Sequence, residues 1–416
     1  MTDDQLSPDR SQAASVSLLY VSTVAHTISH FLLPYAARFR AMGWRLTAAA
    51  SGASTDPALR DAFDAVYELP LSRSIVDLKG LVWGERAVAD VLATRPDIVH
   101  VHTPIASFVT RFAASRMTED ERPLVVYTAH GFHFHKDGGA ATNAVFRAAE
   151  QLAGRWTDRI VVINDEDYSA ARRYRIVPPS HVIRMPGIGI DTGYFSRSAI
   201  DPEHTAQVRL DIGIGQDGPL FVVVAEFNRN KRVGDVIEAI ASMKHRDAKL
   251  LLLGSGRDRD HLEALTDREG VRGRVRFGGL VDDVRPLVSA ATALVLPSRR
   301  EGLNRSIMEA LALEVPVIAS TARGNQELVG SDAGLIVRTG DIVGIAAAMD
   351  WMVDHPQERV AMGQRGRTRM VEDYDLQIVI RRHEAMYRQM LDERRAGPDQ
   401  GSGVRPSVRV SPRMPS

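Results

Sequence analysis

The 416-residue chain contains no cysteine. Disulfide frameworks, zinc–thiolate sites, iron–sulfur clusters and cysteine nucleophiles are therefore excluded. An excess of charge of either sign is also absent, because 52 Lys and Arg residues balance 52 Asp and Glu residues. A protein dedicated to nucleic acid usually carries a basic excess, so we expect no nucleic acid among its partners.

Long apolar runs are absent as well. The first residues, MTDDQLSPDRSQAAS, lack the apolar run of a signal peptide, and no segment approaches the roughly 20 apolar residues of a membrane-spanning helix. We therefore expect a cytoplasmic protein, with any membrane contact peripheral and at the inner face. Residues 1–14 are polar and residues 392–416 are rich in Gly, Pro, Ser and Arg, which predicts a disordered leader and a disordered tail.

The chain between these ends alternates short β-branched runs with helical patterns. Near-continuous apolar strands of this kind are typical of parallel sheets buried on both faces. Because Gly, Pro and polar residues interrupt the alternation near 186–204, we predict the α/β class, with two doubly wound Rossmann-like domains facing across a cleft. The runs that we interpret as strands are 16–22, 97–102, 124–130, 159–164, 220–227, 248–254, 274–279, 293–298 and 315–320.

The segment LVLPSRREGLNRSIMEALALEVPVIAS (294–320) is the most informative. It predicts a buried strand, a loop, and a helix that Asn304 can cap. Gly302 lets the backbone approach a ligand, and the unpaired N–H groups after Asn304 form an anion site. Glu301 and Glu309 can both face the cleft, where carboxylates accept hydrogen bonds from the vicinal hydroxyls of a sugar or a ribose. Two solvated surface glutamates are the alternative, which the order of strand, glycine and helix disfavours.

This segment resembles the family 4 retaining glycosyltransferases, whose two Rossmann-like domains form the GT-B fold. Their E-x7-E motif is matched by Glu301 and Glu309 within the wider pattern P-S-x-x-E-G-L-x-x-x-x-x-E-A-L. The resemblance implies that Glu301 contacts the hydroxyls of the transferred sugar and that Glu309 holds the nucleotide ribose. It also places Gly302, Leu303 and Asn304 beside the donor.

A second segment, VVVAEFNRNKRVGDVIEAI (222–240), predicts a strand, a polar loop and a helix. Lys and Arg on such a loop can neutralise a donor diphosphate without a metal. In the resembled family this loop supplies one Arg and one Lys to the phosphates. Lys231 matches the lysine, whereas Glu226 occupies the usual arginine position and Arg229 is the nearest candidate to replace it. Surface charges beside a helix are the alternative for both basic residues.

A third segment, VVYTAHGFHFHKDGG (125–139), places His130 at the end of a strand, where the resemblance implies a contact with the donor sugar. Histidines at 130, 133 and 135 lack the spacing and the partner carboxylates of a zinc site. We therefore expect no metal and no cofactor, the nucleotide sugar being a substrate. His133 and His135 either meet the acceptor or pack at the edge of the cleft. The catalytic set predicted from the sequence is His130, Glu301 and Lys231.

Two glycines in LLLLGSGRDRDHLEAL (250–265) follow a predicted strand. Gly254 and Gly256 lack the third glycine of a dinucleotide fingerprint, so alone they indicate little. The resemblance gives them a minor role near the donor phosphates.

The segment that follows carries two adjacent aspartates, Asp282 and Asp283. We interpret them as a helix N-cap and a first-turn charge, not as metal ligands. The resemblance implies that the backbone around Leu280 and Val281 meets the nucleotide base.

The resemblance covers residues 16–391, and the segments 128–135, 163–168 and 186–195 resemble the branch that makes capsular and exopolysaccharides. It implies an acceptor-side domain at 15–198, a nucleotide-sugar domain at 199–373, and a helix at 374–391 that crosses back. The implied reaction moves a hexose or N-acetylhexosamine from a nucleotide diphosphate sugar, with UDP as the default, to a glycan. A lipid-linked intermediate of capsule or exopolysaccharide synthesis is the expected acceptor, and the anomeric configuration is retained.

Alternatives remain at this stage. A sugar-nucleotide 2-epimerase or a phosphorylase would use the same architecture, and a non-catalytic nucleotide-sugar-binding protein could keep it. Segments 29–45 and 143–156 mix apolar faces with arginines, which is typical either of peripheral membrane helices or of ordinary amphipathic packing.

Overall fold

The computed structural model of the chain describes residues 15–72, 78–134, 138–212 and 218–397. Seven of the described strands form a parallel sheet in the order β3-β2-β1-β4-β5-β6-β7. Its central strands are buried on both faces, which explains their near-continuous apolar sequences. The strands are β1 (Ser17–Val24), β2 (Arg45–Ser51), β3 (Ala65–Glu68), β4 (Ile98–His102), β5 (Leu124–Ala129), β6 (Arg159–Val162) and β7 (Val182–Arg184).

Six further strands form a second parallel sheet in the order β10-β9-β8-β11-β12-β13. In both sheets the strand order reverses beside the first strand, between β1 and β4 and between β8 and β11. Ligands of open α/β sheets bind beyond the carboxyl ends of the strands at such a reversal. The strands are β8 (Leu220–Val224), β9 (Lys249–Leu253), β10 (Val275–Gly279), β11 (Ala293–Leu296), β12 (Val317–Ser320) and β13 (Gly334–Val337).

Helices cover both faces of the two sheets. In the first half they are α1 (Ala25–Phe31), α2 (Leu33–Ala41), α3 (Pro57–Ala62), α4 (Leu78–Leu92), α5 (Pro104–Ala114), α6 (Ala140–Gly154) and α7 (Asp165–Arg173). In the second half they are α8 (Pro202–Ile212), α9 (Val233–Ser242), α10 (Arg259–Arg268), α11 (Arg285–Ser289), α12 (Arg305–Ala312), α13 (Asn325–Val329), α14 (Ile342–Asp354), α15 (Pro356–Asp373) and α16 (Leu376–Ala396).

The last helix, α16, returns to the first sheet. Asp375 caps its first turn by accepting a hydrogen bond from the N–H of Gln377 at 2.9 Å. Farther along, Ile380 and Tyr387 are buried in the core that contains β1 and α2. After the second sheet, the polypeptide therefore returns through α16 and packs against the first sheet.

The predicted α/β class with two doubly wound sheets is confirmed, and each of the nine predicted strands overlaps a strand of the structure. The boundaries proposed at 198/199 and 373/374 stay predictions, with the strands of the two sheets falling on opposite sides of the first. The predicted tail is wrong at its start, because residues 392–396 belong to α16. Residues 1–14 and 398–416 lie outside the described part.

The interpretation of Asp282 and Asp283 as helix N-cap and first-turn charge is also wrong. The helix α11 begins at Arg285, and its N-cap residue is Val284, whose side chain makes no capping hydrogen bond. Asp283 instead binds the Arg285 guanidinium, with Oδ2 2.6 Å from Nη2. Its Oδ1 also accepts a hydrogen bond from the N–H of Arg285 at 2.9 Å, so Asp283 lies before the helix and not in its first turn.

Candidate active site

The loop between β11 and α12 lies at the reversal point of the second sheet. Asn304 ends the loop, and its Oδ1 accepts a hydrogen bond from the N–H of Ile307 at 3.2 Å, so the predicted cap is confirmed. The cap fixes the start of α12, whose first N–H groups form an electropositive helix end. Ser306 secures the same turn by donating to the carbonyl of Val224 at 2.9 Å.

Lys231, from the loop between β8 and α9, contacts Glu301 of this loop. The Lys231 ammonium lies 2.7 Å from Oε1 of Glu301, and the two side chains are 19% and 9% exposed. A hydrogen bond also joins the two loops that carry these side chains. The Asn230 amide donates to the carbonyl of Arg300 at 2.9 Å. The loop after β8 and the loop after β11, which the sequence indicated as two separate segments, are therefore in direct contact.

Glu309 is buried in the second turn of α12 and pairs with Arg305, whose Nε lies 2.9 Å from Oε1. Burial raises the pKa of Glu309, and the Arg305 charge opposes that rise. The Arg305 guanidinium also lies 5.6 Å from the centre of the Phe31 ring on α1. Glu309, the residue predicted to bind the ribose, therefore lies where the two halves of the molecule meet.

A cavity of about 310 Å³ opens at the carboxyl ends of β8, β9 and β10. Gly254, Leu280 and Val281, all predicted to lie near the donor, line it together with Glu226. Leu280 is 79% exposed, so an apolar side chain is available to a flat ligand. The structure thus brings three of the predicted donor residues together beside the start of α12.

The glycines of this region have a structural reason of their own. A Cβ on Gly254 would lie 1.9 Å from the carbonyl oxygen of Ala225, and one on Gly256 would lie 2.3 Å from that of Phe227. Their backbone angles φ are 138° and 157°, and glycine alone adopts such angles without strain. These residues let the turn pack against the loop that follows β8.

Arg229 is exposed and lines a different space, a groove of about 620 Å³ that also contains Arg232 and Arg299. Glu226, in contrast, faces the 310 Å³ cavity. The structure therefore does not place Arg229 in the cavity that gathers Gly254, Leu280 and Val281.

His130 follows β5 and faces the second half of the molecule. Its Nε2 lies 3.0 Å from Nδ1 of His102, and burial lowers the pKa of His130 to about 4. The imidazole is therefore neutral near pH 7. A Cβ on Gly302 would lie 2.2 Å from the carbonyl oxygen of His130, so the end of β5 packs directly on the loop that holds Glu301.

Leu303 has a packing role in the same contact. A Cβ added to Gly187 would lie 3.1 Å from its Cδ1, and one on Gly324 would lie 3.4 Å from its Cδ2. Its side chain fills the space between the two halves, which leaves its backbone as the part that can face a donor.

Arg323, which follows β12, was missed by the sequence analysis. Its Nη1 lies 2.7 Å from Oδ1 of Asp167, Nη2 donates to the carbonyl of Phe132 at 2.5 Å, and Nε donates to the carbonyl of Glu301 at 3.3 Å. One side chain thus joins β5, α7 and the Glu301 loop. Its position after a buried strand, next to the motif-bearing strand β11, is a signal that could have identified it.

Metal ligation has no candidate cluster in the described ranges, where no three His, Asp or Glu side chains are grouped to hold an ion. His133 lies beside Phe146 with ring centres 5.1 Å apart, while His135 falls outside the described residues. A reaction without metal or cofactor stays a prediction.

Comparison with known proteins gives two matching family models. The model described as "Glycosyl transferase 4-like domain" matches residues 27–187, and "Glycosyl transferases group 1" matches residues 206–369. EpsD of Bacillus subtilis (strain 168), named as a glycosyltransferase, is 30% identical over 353 residues, covering 84% of this chain and 91% of EpsD. The chain belongs to the family 4 glycosyltransferases.

Other relatives of this glycosyltransferase carry more specific names. An Escherichia coli protein, "UDP-Gal:alpha-D-GlcNAc-diphosphoundecaprenol alpha-1,3-galactosyltransferase", is 24% identical and covers 78% of this chain and 84% of itself. Further relatives are named for capsular polysaccharide and lipopolysaccharide core biosynthesis. Among solved structures, Anabaena HepE in complex with UDP is 18% identical with a TM-score of 0.75, covering 90% of this chain and 100% of HepE. The likeness to HepE shows the GT-B fold.

In this glycosyltransferase eight of the twelve predicted site residues fall into three groups. Lys231 and Glu301 are in direct contact, and His130 packs its backbone on Gly302. Gly254, Leu280 and Val281 share a cavity, whereas Arg229 lines a separate groove. The roles assigned to these residues stay predictions, but the structure collects most of them at the facing carboxyl ends of the two sheets.

Proposed function

We propose that this glycosyltransferase retains anomeric configuration and moves a hexose or N-acetylhexosamine from a UDP-sugar to a lipid-linked glycan of capsule or exopolysaccharide synthesis. The observation that carries the proposal is the 2.7 Å contact between Lys231 and Glu301 beside the start of α12. A carboxylate that accepts sugar hydroxyls and an ammonium that binds phosphate are what a sugar diphosphate needs next to each other.

The two ion pairs of the site leave room for hydrogen bonds to the donor. Lys231 neutralises Glu301, and Arg305 neutralises Glu309. An ammonium has three donors, so Lys231 can keep its bond to Glu301 and still bind a phosphate oxygen. Arg305 can likewise stay on one oxygen of Glu309 while the ribose takes the other.

The reaction breaks the bond between the anomeric carbon and the diphosphate oxygen and forms a bond from that carbon to an acceptor oxygen on the same face. The acceptor proton passes to the departing phosphate. Negative charge grows on the diphosphate in the transition state, where the Lys231 ammonium and the N-terminus of α12 stabilise it. Neutral His130 can donate one N–H to the donor sugar without adding charge.

The names of related proteins support a UDP-sugar as donor and a lipid-linked glycan as acceptor. HepE is described in complex with UDP and with UDP-glucose, and the name of the E. coli relative specifies a UDP-sugar and a diphosphoundecaprenol acceptor. Relatives named for capsule and lipopolysaccharide core synthesis favour the same class of pathway.

A surface of the first half supports peripheral membrane contact. Trp83, Phe112, Val145 and Leu152 are exposed on the neighbouring helices α4, α5 and α6. Arg86 lies 5.5 Å from the Trp83 ring, so apolar and basic groups are adjacent there. None of the helices in the described part of the chain combines the length and apolar character of a membrane crossing.

Flotation with liposomes tests this contact. Binding to vesicles containing acidic lipid at low salt, and its loss on Trp83→Ser together with Phe112→Ser, is the expected result. Absence of wild-type flotation at low salt would overturn the membrane part of the proposal alone.

Thermal unfolding with a panel of nucleotide sugars tests the donor. A ligand that binds only the folded state stabilises it by about 2.7 kcal/mol at 100 times Kd. UDP-hexoses and UDP-N-acetylhexosamines should raise the melting temperature, and Lys231→Ala should reduce the rise. A shift produced only by nucleotides with another base would contradict the UDP assignment, and no shift with any member of the panel would contradict donor binding.

A further inference from the structure

A second cleft, of about 670 Å³, lies on the other side of the Glu301 loop from the donor cavity. The first half contributes His133 and Phe146, from the end of β5 and from α6. The second half contributes arginines after two strands, with Arg299 and Arg300 following β11 and Arg338 following β13. The cleft therefore lies between the two sheets, at the same carboxyl edge as the donor cavity, but over different strands.

The charge of this cleft is one-sided. Three guanidinium groups line it, and no carboxylate occurs among its described lining residues. The Nε of Arg338 lies 4.0 Å from Oδ2 of Asp341, while Oδ1 of the same carboxylate caps α14 by accepting from the N–H of Gly344 at 2.8 Å. The Arg338 side chain is 88% exposed, so that contact leaves most of its donors facing solvent.

Two further features of the first half favour an anion in the same place. The 15-residue helix α6 begins there after Gly139, and no side chain among the described residues caps it, so its first N–H groups point out of the helix end. Burial lowers the pKa of His133, the Glu150 carboxylate opposes that shift, and the Arg300 and Arg323 charges add to it, so the imidazole lies within electrostatic range of Arg300.

The position of the cleft relative to the reaction identifies what brings the anion. Arg300 immediately precedes Glu301, so their Cα atoms are about 3.8 Å apart. The donor nucleotide is accounted for by the cavity at β8, β9 and β10, on the opposite side of that loop. An anion held by Arg300 therefore belongs to a molecule that approaches the transferred sugar from the acceptor side.

We propose that the cleft formed by Arg300, Arg338 and the start of α6 binds a phosphate or diphosphate group carried by the acceptor. The planar guanidinium matches phosphate oxygens bidentately, and two such groups with a helix N-terminus suit a tetrahedral anion better than a neutral glycan. The inference rests on the proposed transferase function and specifies its acceptor class as a phosphorylated sugar.

Binding of inorganic pyrophosphate in the presence of saturating UDP tests the site without any transfer. Calorimetry should show one pyrophosphate site in the wild type. The double variant Arg300→Gln/Arg338→Gln should weaken it at least about tenfold, as expected for loss of two charge-assisted contacts. Arg299 is left intact because it also lines the groove of Arg229. The matched control is Arg382→Gln, an exposed arginine of α16, which should leave binding unchanged. Equal binding by the double variant would overturn the site.

Kinetics then separates an acceptor phosphate from a free one. With a sugar 1-phosphate or sugar diphosphate lipid analogue as acceptor, the double variant should raise the acceptor KM by about 10- to 100-fold, at an unchanged donor KM. With the unphosphorylated sugar the variant and the wild type should have the same KM. Loss of pyrophosphate binding with an unchanged acceptor KM would mean that a free anion occupies the cleft, which overturns the acceptor assignment.

Failure of the proposed function would be distinguishable. It would appear as absence of nucleotide-sugar binding in the wild type. If the double variant instead raised the donor KM as much as Lys231→Ala does, these arginines would bind the donor. That result would contradict the inference.

Discussion

At the scale of single residues, the first half is unusual in burying several neutral imidazoles. His100 is fully enclosed, with its Nε2 2.7 Å from Oγ1 of Thr128 and its Nδ1 in contact with the Tyr387 hydroxyl. Burial lowers the pKa of His100, and the neighbouring His102 and His383 lower it further. These rings extend from the core to His130. Both the folded core and the candidate site therefore depend on buried histidines that are neutral.

This requirement predicts a loss of stability in mild acid. Burial lowers the pKa of His383 to about 4, while its Nδ1 is 3.0 Å from the carbonyl of Val379. A histidine with a lowered folded pKa stabilises the protein fully above about pH 6.5, and that stabilisation disappears between about pH 6.5 and 4. Urea unfolding should therefore show a free energy of unfolding that falls over this range.

The variant His383→Asn should remove about 1 kcal/mol of the difference between pH 7.5 and pH 5.5. His204→Asn, which replaces an exposed histidine, should leave the pH dependence as in the wild type. An identical dependence for wild type and His383→Asn would show that His383 titrates normally.

At the scale of elements, the sequence predicted the buried strands better than the edges. Strands such as β8 and β9 are runs of Leu, Val and Phe buried on both faces, and such runs are recognisable without tertiary information. Three of the missed strands, β3, β7 and β13, are short strands at sheet edges, and β7 has only three residues. The fourth, β2, is an interior strand that was missed because RLTAAAS carries three alanines. Their pairing depends on neighbours far away in the chain.

Gly302, in the E-x7-E loop, also has a packing contact that the sequence could not reveal. Sequence analysis gave Gly302 a role in approaching a ligand. In the structure its nearest neighbour is the carbonyl of His130, 2.2 Å from where a Cβ would lie. That contact joins two segments 172 positions apart (302 − 130), so no local pattern could show it.

Gly302→Ala should therefore lower both stability and activity. The added methyl must push the ends of β5 and β11 apart, which costs about 1–3 kcal/mol by the usual range for overpacking. Gly273→Ala is a matched control because a Cβ there meets nothing within 4 Å. Chemical denaturation and transfer assays of both variants would decide, and wild-type behaviour of Gly302→Ala would contradict the contact.

At the scale of the whole molecule, the two halves are joined by ion pairs that only the fold reveals. Arg323 reaches across to Asp167, whose side chain is 1% exposed, and Arg184 pairs with Glu327 in the opposite direction along the chain. Burial raises the pKa of Asp167, and Arg323 opposes that rise. The Glu301 loop is held between these pairs, because Arg323 also binds the carbonyl of Glu301.

Removing one partner should cost more than removing both. Arg323→Gln leaves the buried Asp167 without its charge partner, which costs about 3–5 kcal/mol in comparable buried pairs. Asp167→Asn/Arg323→Gln should recover part of that loss, because an amide needs no counter-charge. A double-mutant cycle in urea measures this coupling, and strictly additive losses would contradict the ion pair as a link between the halves.

The proposed transfer reaction requires Glu301 to act on the transferred sugar. The decisive measurement is the rate of sugar transfer from the UDP-sugar that stabilises the wild type, compared with Glu301→Gln under the same conditions. The account predicts that Glu301→Gln folds and still binds UDP, while transfer falls by about 100-fold or more, as for other groups that act mainly in the transition state. Wild-type turnover by the folded Glu301→Gln protein would contradict it.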